Sequence, residues 1–134
     1  MGPLIEIIEL EFTTLTFYKN FVVSKIKEDV VLDKKNTEIL VKACSKKYQG
    51  EKFVYISKRF NSYNVDPSIY VDLEKATNLW GIAIVSKDSS ALKMAFFEKN
   101  FAKFPFEIFT EFEEALIWAK KILSEEKFSS PGSE

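Results

Sequence analysis

The sequence predicts an α/β fold of element order ββαβαβαβα, with a mixed, mostly parallel sheet of four or five strands and about four helices. Three observations predict it. Short apolar runs rich in β-branched and aromatic residues stand at 53–56, 82–85 and 106–109. Stretches with helical spacing of apolar residues separate and follow them. Helix-start chemistry precedes those stretches, at Asp33, at Asp66-Pro67 and at Thr110. Strands that alternate with helices are joined by crossovers, so the sheet is parallel after its opening hairpin, and the crossovers are right-handed.

Residues 4–27 predict two strands. Ile8, Leu10 and Phe12 alternate with polar neighbours, then Leu15 and Phe17 alternate in the other phase, so a bulge or break falls near Thr13-Thr14. Tyr18-Lys19-Asn20 turns the chain, and 21–26 returns. A helix over 33–49 has Asp33 as N-cap, an apolar face of Ile39, Leu40, Ala43, Cys44 and Tyr48, and Gly50 as its stop. The next helix begins at Asp66-Pro67 and carries Ile69, Leu73 and Ala76 on to Leu79-Trp80, where Gly81 breaks it. A third helix over 87–101 places Leu92, Ala95 and Phe96 on one face, and Asp88 or Ser89 caps it. In the last helix Thr110-Glu111-Phe112-Glu113 has capping-box spacing, followed by a stripe of Phe112, Ala115, Leu116, Ala119, Ile122 and Leu123.

The chain has 134 residues, a common size for one domain, here 1–124 followed by a polar tail over 125–134. Net charge is −1 and the basic residues are scattered in pairs, which leaves no footprint for a nucleic-acid partner. Histidine is absent, so Ser-His and Cys-His nucleophile pairs and His-ligated metals are excluded. Cys44 is the one cysteine, so no internal disulfide or cysteine-based zinc site can form. No cofactor motif stands out. No apolar run approaches the ~20 residues of a membrane span. The first residues carry acids where a secretory signal carries positive charge, which predicts a cytoplasmic protein.

With this order in place, residues 80–123 resemble the end of short bacterial STAS-like proteins, relatives of anti-sigma factor antagonists. Those proteins end on an aromatic strand, an acid, and then Glu-Glu-Ala-hydrophobic-x-Trp. Here that reads Ile108-Phe109-Thr110-Glu111-Phe112-Glu113-Glu114-Ala115-Leu116-Ile117-Trp118. The element order fits over residues 8–123. The resemblance implies a regulatory, non-enzymatic binding domain whose better-known relatives bind a partner kinase. It also implies a phosphorylatable serine in an Asp-Ser-Ser/Thr-Gly motif at the start of the second helix. Here Asp88-Ser89-Ser90 has those letters one helix later, while the expected place holds Asp66, Pro67 and Ser68. Ser68, Ser89 and Ser90 are therefore the candidate phosphorylation sites.

The loop after the central strand at 53–56 is the main candidate binding segment. It leaves the C-terminal end of a strand and enters a helix N-terminus, the edge where α/β sheets bind ligands and where anions are favoured. Lys58, Arg59, Asn61, Ser62, Tyr63, Asn64 and Ser68 are its candidate donors to a ligand or partner. The acids Glu111, Glu113 and Glu114 suit the first turn of a helix better than catalysis. The expected function is a cytoplasmic protein-interaction module of unknown partner, with homodimerisation through an edge strand or a Phe patch. The alternative is a carrier or sensor of a small apolar or lipid-like ligand held between the Phe-rich third helix and the sheet.

Overall fold

Thr13 and Thr14 mark where the apolar phase changes, and the chain reverses just before them. In the computed structural model, which describes residues 4–60 and 64–125, β1 (Glu6–Glu9) and β2 (Thr13–Phe17) form an antiparallel hairpin. The Leu10 N–H donates to the Thr13 carbonyl at 2.8 Å and closes the turn. β2 then pairs antiparallel with β3 (Phe21–Ile26). The segment predicted as two strands is thus three, and the sheet has six strands instead of four or five.

The rest follows the α/β alternation. A short β4 (Val31–Leu32) leads into α1 (Lys34–Tyr48), then β5 (Phe53–Lys58), β6 (Asn64–Val65), α2 (Ile69–Leu73), β7 (Leu79–Val85), α3 (Ser89–Lys99), β8 (Phe106–Phe109) and α4 (Phe112–Ser124). The main sheet has the order β1-β2-β3-β5-β7-β8, parallel from β3 onward, and β4 pairs parallel with β6 in a separate two-stranded ladder. Strand alternation divides the core in two. Leu15, Phe17, Val22, Phe53, Ile82 and Ile84 face α1, α2 and α3. Phe21, Val23, Val54, Ile56, Ala83 and Val85 face α4, through Ala115, Ala119 and Leu123.

Asp33 and Asp88 cap α1 and α3 with their side chains, whereas Ser68 and Glu111, the N-caps of α2 and α4, make no side-chain cap bond. The Asp33 carboxylate accepts from Asn36 N–H at 2.9 Å, and the chain leaves α1 through left-handed Gln49 and Gly50, with φ of 46° and 86°. At α4 the capping box does not form: Glu111 is the N-cap and makes no side-chain cap bond. α2 is also far shorter than its period suggests. After Leu73 the chain continues in i→i+3 turns, Lys75 to Asp72, Ala76 to Leu73 and Leu79 to Ala76. Leu79 and Trp80 then belong to β7, where Leu79 is the register partner of Phe53 in β5 and Trp80 falls at the irregularity before Gly81 pairs with Val54.

Candidate functional site

The C-terminal ends of the parallel strands carry the predicted loop. Lys58 and Arg59 are consecutive at the end of β5, so alternation sends them to opposite faces. Lys58 faces α4, with its ammonium 4.1 Å from the centre of the Phe112 ring. Arg59 turns inward under α2 and α3. Its guanidinium is 4% exposed and meets a carboxylate that is fully buried: Nη1 lies 2.6 Å from Glu98 Oε2. Arg59 Nε also donates to Ser57 Oγ at 3.0 Å, and the Tyr70 hydroxyl donates to Glu98 Oε1 at 2.5 Å. One buried network therefore ties β5, α2 and α3 together at the end of the sheet. Burying charge is costly unless it is paired and hydrogen-bonded, and here both conditions are met.

Asn64 is exposed in β6, paired with Val31, and Ser68 is exposed at the start of α2, where its N–H donates to the Asp66 carboxylate at 3.0 Å. Asn61, Ser62 and Tyr63 lie outside the described residues. Among the described members of the predicted set, then, Lys58, Arg59, Asn64 and Ser68 do not converge on one point. Ser89 and Ser90 are exposed in the first turn of α3. Asp88 is the cap there, accepting from Ala91 N–H at 2.9 Å.

Glu98 and Tyr70 are the residues that sequence reasoning passed over. The signal was present: Ala91, Ala95 and Glu98 share the i, i+4, i+7 spacing of one helix face, and they are the three buried residues of α3. Phe96, grouped with Leu92 and Ala95 on one face by helical spacing, is 61% exposed instead. With alanines and Glu98 against the sheet and the phenylalanines turned outward, the Phe-rich side of α3 does not hold an internal ligand. A cavity lies elsewhere, between α1, α2 and the β5–β7 floor. It measures about 60 Å³ and is bounded by Cys44, Tyr55, Arg59, Ile69, Tyr70 and Leu73, among others. That is roughly room for a few waters or a very small organic group, not for an acyl chain.

Cys44 and Tyr55, which line this cavity, and Tyr48, one turn along α1 from Cys44, are desolvated. Burial pushes the Cys44 thiol up to about 12. It also raises the Tyr48 and Tyr55 hydroxyls well above their usual range, with Cys44 adding to both and a Ser24 hydrogen bond partly opposing at Tyr55. Native protein is expected to leave Cys44 unmodified by a thiol reagent at about pH 8, and to react only on unfolding. An equivalent rate in native and denatured protein would contradict this burial. The same three groups set a pH dependence. Unfolded, they ionise near pH 9 to 10, whereas in the native state they keep their protons. Above about pH 9 the native state therefore binds more protons than the unfolded one, and stability falls as pH rises. The urea midpoint is expected to be flat between about pH 7 and 8.5 and to drop from about pH 9 upward.

These features define a class. A mixed six-stranded sheet with three helices on one face and a single C-terminal helix on the other is a SpoIIAA-like fold, which is the STAS fold. Among solved structures, the chain is similar to an uncharacterised DUF3478-family protein with a SpoIIAA-like fold from Shewanella loihica PV-4. The TM-score is 0.51 at 13% sequence identity, covering 88% of this chain and 94% of that one. No family model and no curated protein matches the sequence. No helix among the described residues is long and apolar enough to cross a membrane.

Proposed function

We propose that the chain is a cytoplasmic, non-enzymatic STAS-fold module that binds another protein and serves a regulatory role. The observation that carries this reading is the outer side of α3. Phe96 and Phe97 are exposed there, with Phe101 one turn further on, and the Phe97 and Phe101 rings pack edge to face at 5.1 Å. Burying one such side chain against a partner is worth roughly 1.5–3 kcal/mol, so leaving several in water on one helix favours a protein that covers them. Ser89 and Ser90 open the same helix. A phosphoryl group there would sit at the helix N-terminus, within reach of whatever docks on the aromatic side, which supports a switchable contact. A symmetric homodimer through this face is one form of the same reading.

Affinity purification with wild type against a Phe96→Ser/Phe97→Ser variant tests it. A reproducible protein partner lost by the variant is expected, with the variant's unfolding midpoint unchanged. Recovery of the same partners by both chains would sink the reading. A Ser89→Asp change is expected to shift the apparent affinity for that partner at least several-fold by adding charge beside the interface. An unchanged binding isotherm would rule out control through this serine.

A further inference from the structure

The helices leave one opening over the central strands. On the sheet face under α1, α2 and α3, the residues Val22, Ser24, Phe53, Ser57, Ile82 and Ile84 are all buried. Tyr55 lies on the same face of β5, between its register partners Val22 and Ile82, and is only partly buried. It lines the cavity between α1 and α2. Burial nevertheless holds its hydroxyl well above the usual range. A group that borders an internal space, away from bulk water, has both properties.

The cavity has the make-up of a small-molecule site, mostly apolar walls with a few polar groups. α1 contributes Thr37, Leu40 and Cys44, and α2 contributes Ile69, Tyr70 and Leu73. Leu40, Leu73 and Ala76 are partly buried and mark a mouth between the two helices. α2 is the wall that yields most easily: it has five residues, no side-chain cap bond, and only i→i+3 turns after Leu73. The volume, about 60 Å³, admits a molecule of roughly three to five heavy atoms.

Two observations fix the chemistry of the guest. Charge comes first. Arg59 lines the cavity, but its guanidinium is matched by Glu98 at 2.6 Å, and the two act on the Tyr55 hydroxyl in opposite senses. An ionic guest would give up its hydration without gaining a counterion, so the guest is neutral. Hydrogen counting comes second. The Thr13 hydroxyl donates to the Lys25 carbonyl at 2.9 Å, so in its 2.6 Å contact with Ser24 it accepts. Ser24 has then spent its one hydrogen on Thr13, and in its hydrogen bond with Tyr55 it accepts as well. Tyr55 is therefore the donor to Ser24, and its oxygen serves a guest as an acceptor.

We propose that the cavity over Tyr55 is a binding site for a small neutral alcohol, its hydroxyl donating to the Tyr55 oxygen and its alkyl part lying against Leu40, Ile69 and Leu73. The site is separate from the outer side of α3, so it stands or falls independently of that face.

Amide shifts of the full chain, titrated with 2-propanol, acetone and acetate, test it. 2-Propanol is expected to give saturable changes concentrated in α1, β5 and α2, with a midpoint of about millimolar, as so few atoms allow. Acetone has the same size without the hydroxyl hydrogen and is expected to bind several-fold more weakly. Acetate is expected not to bind there. Tyr55→Phe, shown folded by its urea midpoint, should bind 2-propanol about as weakly as wild type binds acetone. Cys44→Met puts a longer, adaptable side chain into the cavity and should abolish binding. Phe96→Ser/Phe97→Ser should leave it unchanged. No saturable change, changes centred elsewhere, or equal binding of 2-propanol and acetone would overturn the proposal. So would wild-type affinity in Tyr55→Phe, undiminished binding by folded Cys44→Met, or acetate binding as tightly as the alcohol.

Discussion

Glu98→Ala is expected to lower the stability of the protein by about 3–5 kcal/mol, the range for removing one partner of a buried ion pair. The carboxylate is fully buried and receives both the Arg59 guanidinium, at 2.6 Å, and the Tyr70 hydroxyl. Removing it strands a buried positive charge and a buried hydroxyl in the same place. The apolar replacement behaves differently. Arg59→Met/Glu98→Leu removes both charges together and is expected to cost far less than Glu98→Ala, because no uncompensated ion is left. Tyr70→Phe should cost roughly 1.5–3 kcal/mol, the range for a hydrogen bond to a charged group. Urea unfolding with a constant m-value measures all three. A loss below about 1 kcal/mol for Glu98→Ala would mean that solvent reaches the pair, as it does for exposed ion pairs.

This pair shows where sequence reasoning carries and where it stops. The strands at 53–56, 82–85 and 106–109 were legible because a buried parallel strand is a short, unbroken apolar run, and each lies in the sheet. α4 was legible because its apolar stripe repeats over three turns, and Ala115, Ala119 and Leu123 are its buried residues. Asp33 and Asp88 cap their helices because a short acid before a helical stretch has few other local uses. Tertiary demands decided the rest. Phe96 is apolar but lies beside Ala95 instead of a turn away from it, and the sheet accepts only the narrow Ala91–Ala95–Glu98 stripe. Arg59 reads as a solvent-facing donor in a polar loop. That it points inward depends on a glutamate 39 positions later, which no local pattern reveals. The extra N-terminal strand was visible only as a change of phase at Thr13-Thr14. A change of phase alone does not distinguish a bulge from a reversal.

Gly81→Ala is the second large expected effect, a loss of about 1–3 kcal/mol, or several degrees in Tm, from overpacking. Glycine in a strand interior normally weakens it, so alanine at an open position would be neutral or better. Gly81 is not open. A Cβ there would lie 2.9 Å from Cη2 of Trp118 and 3.3 Å from the Pro105 carbonyl oxygen. Neither neighbour yields easily. The Trp118 ring packs against Phe109 at 5.9 Å between centroids, and the Pro105 carbonyl accepts from Ile82 N–H at 2.9 Å, the bond that starts the β7–β8 pairing. The glycine therefore lets α4 lie close on β7, with tryptophan as the contact. This gives the aromatic strand and Glu-Glu-Ala-Leu-Ile-Trp pattern of residues 108–118 a packing cause. Coupling between the two positions tests it. In a double-mutant cycle, Gly81→Ala should cost clearly less in a Trp118→Leu background, with a coupling of about 0.5–3 kcal/mol. Strict additivity would show that the indole does not set the approach of helix to strand. The clash would then be with the Pro105 carbonyl, and the pattern would owe nothing to this contact.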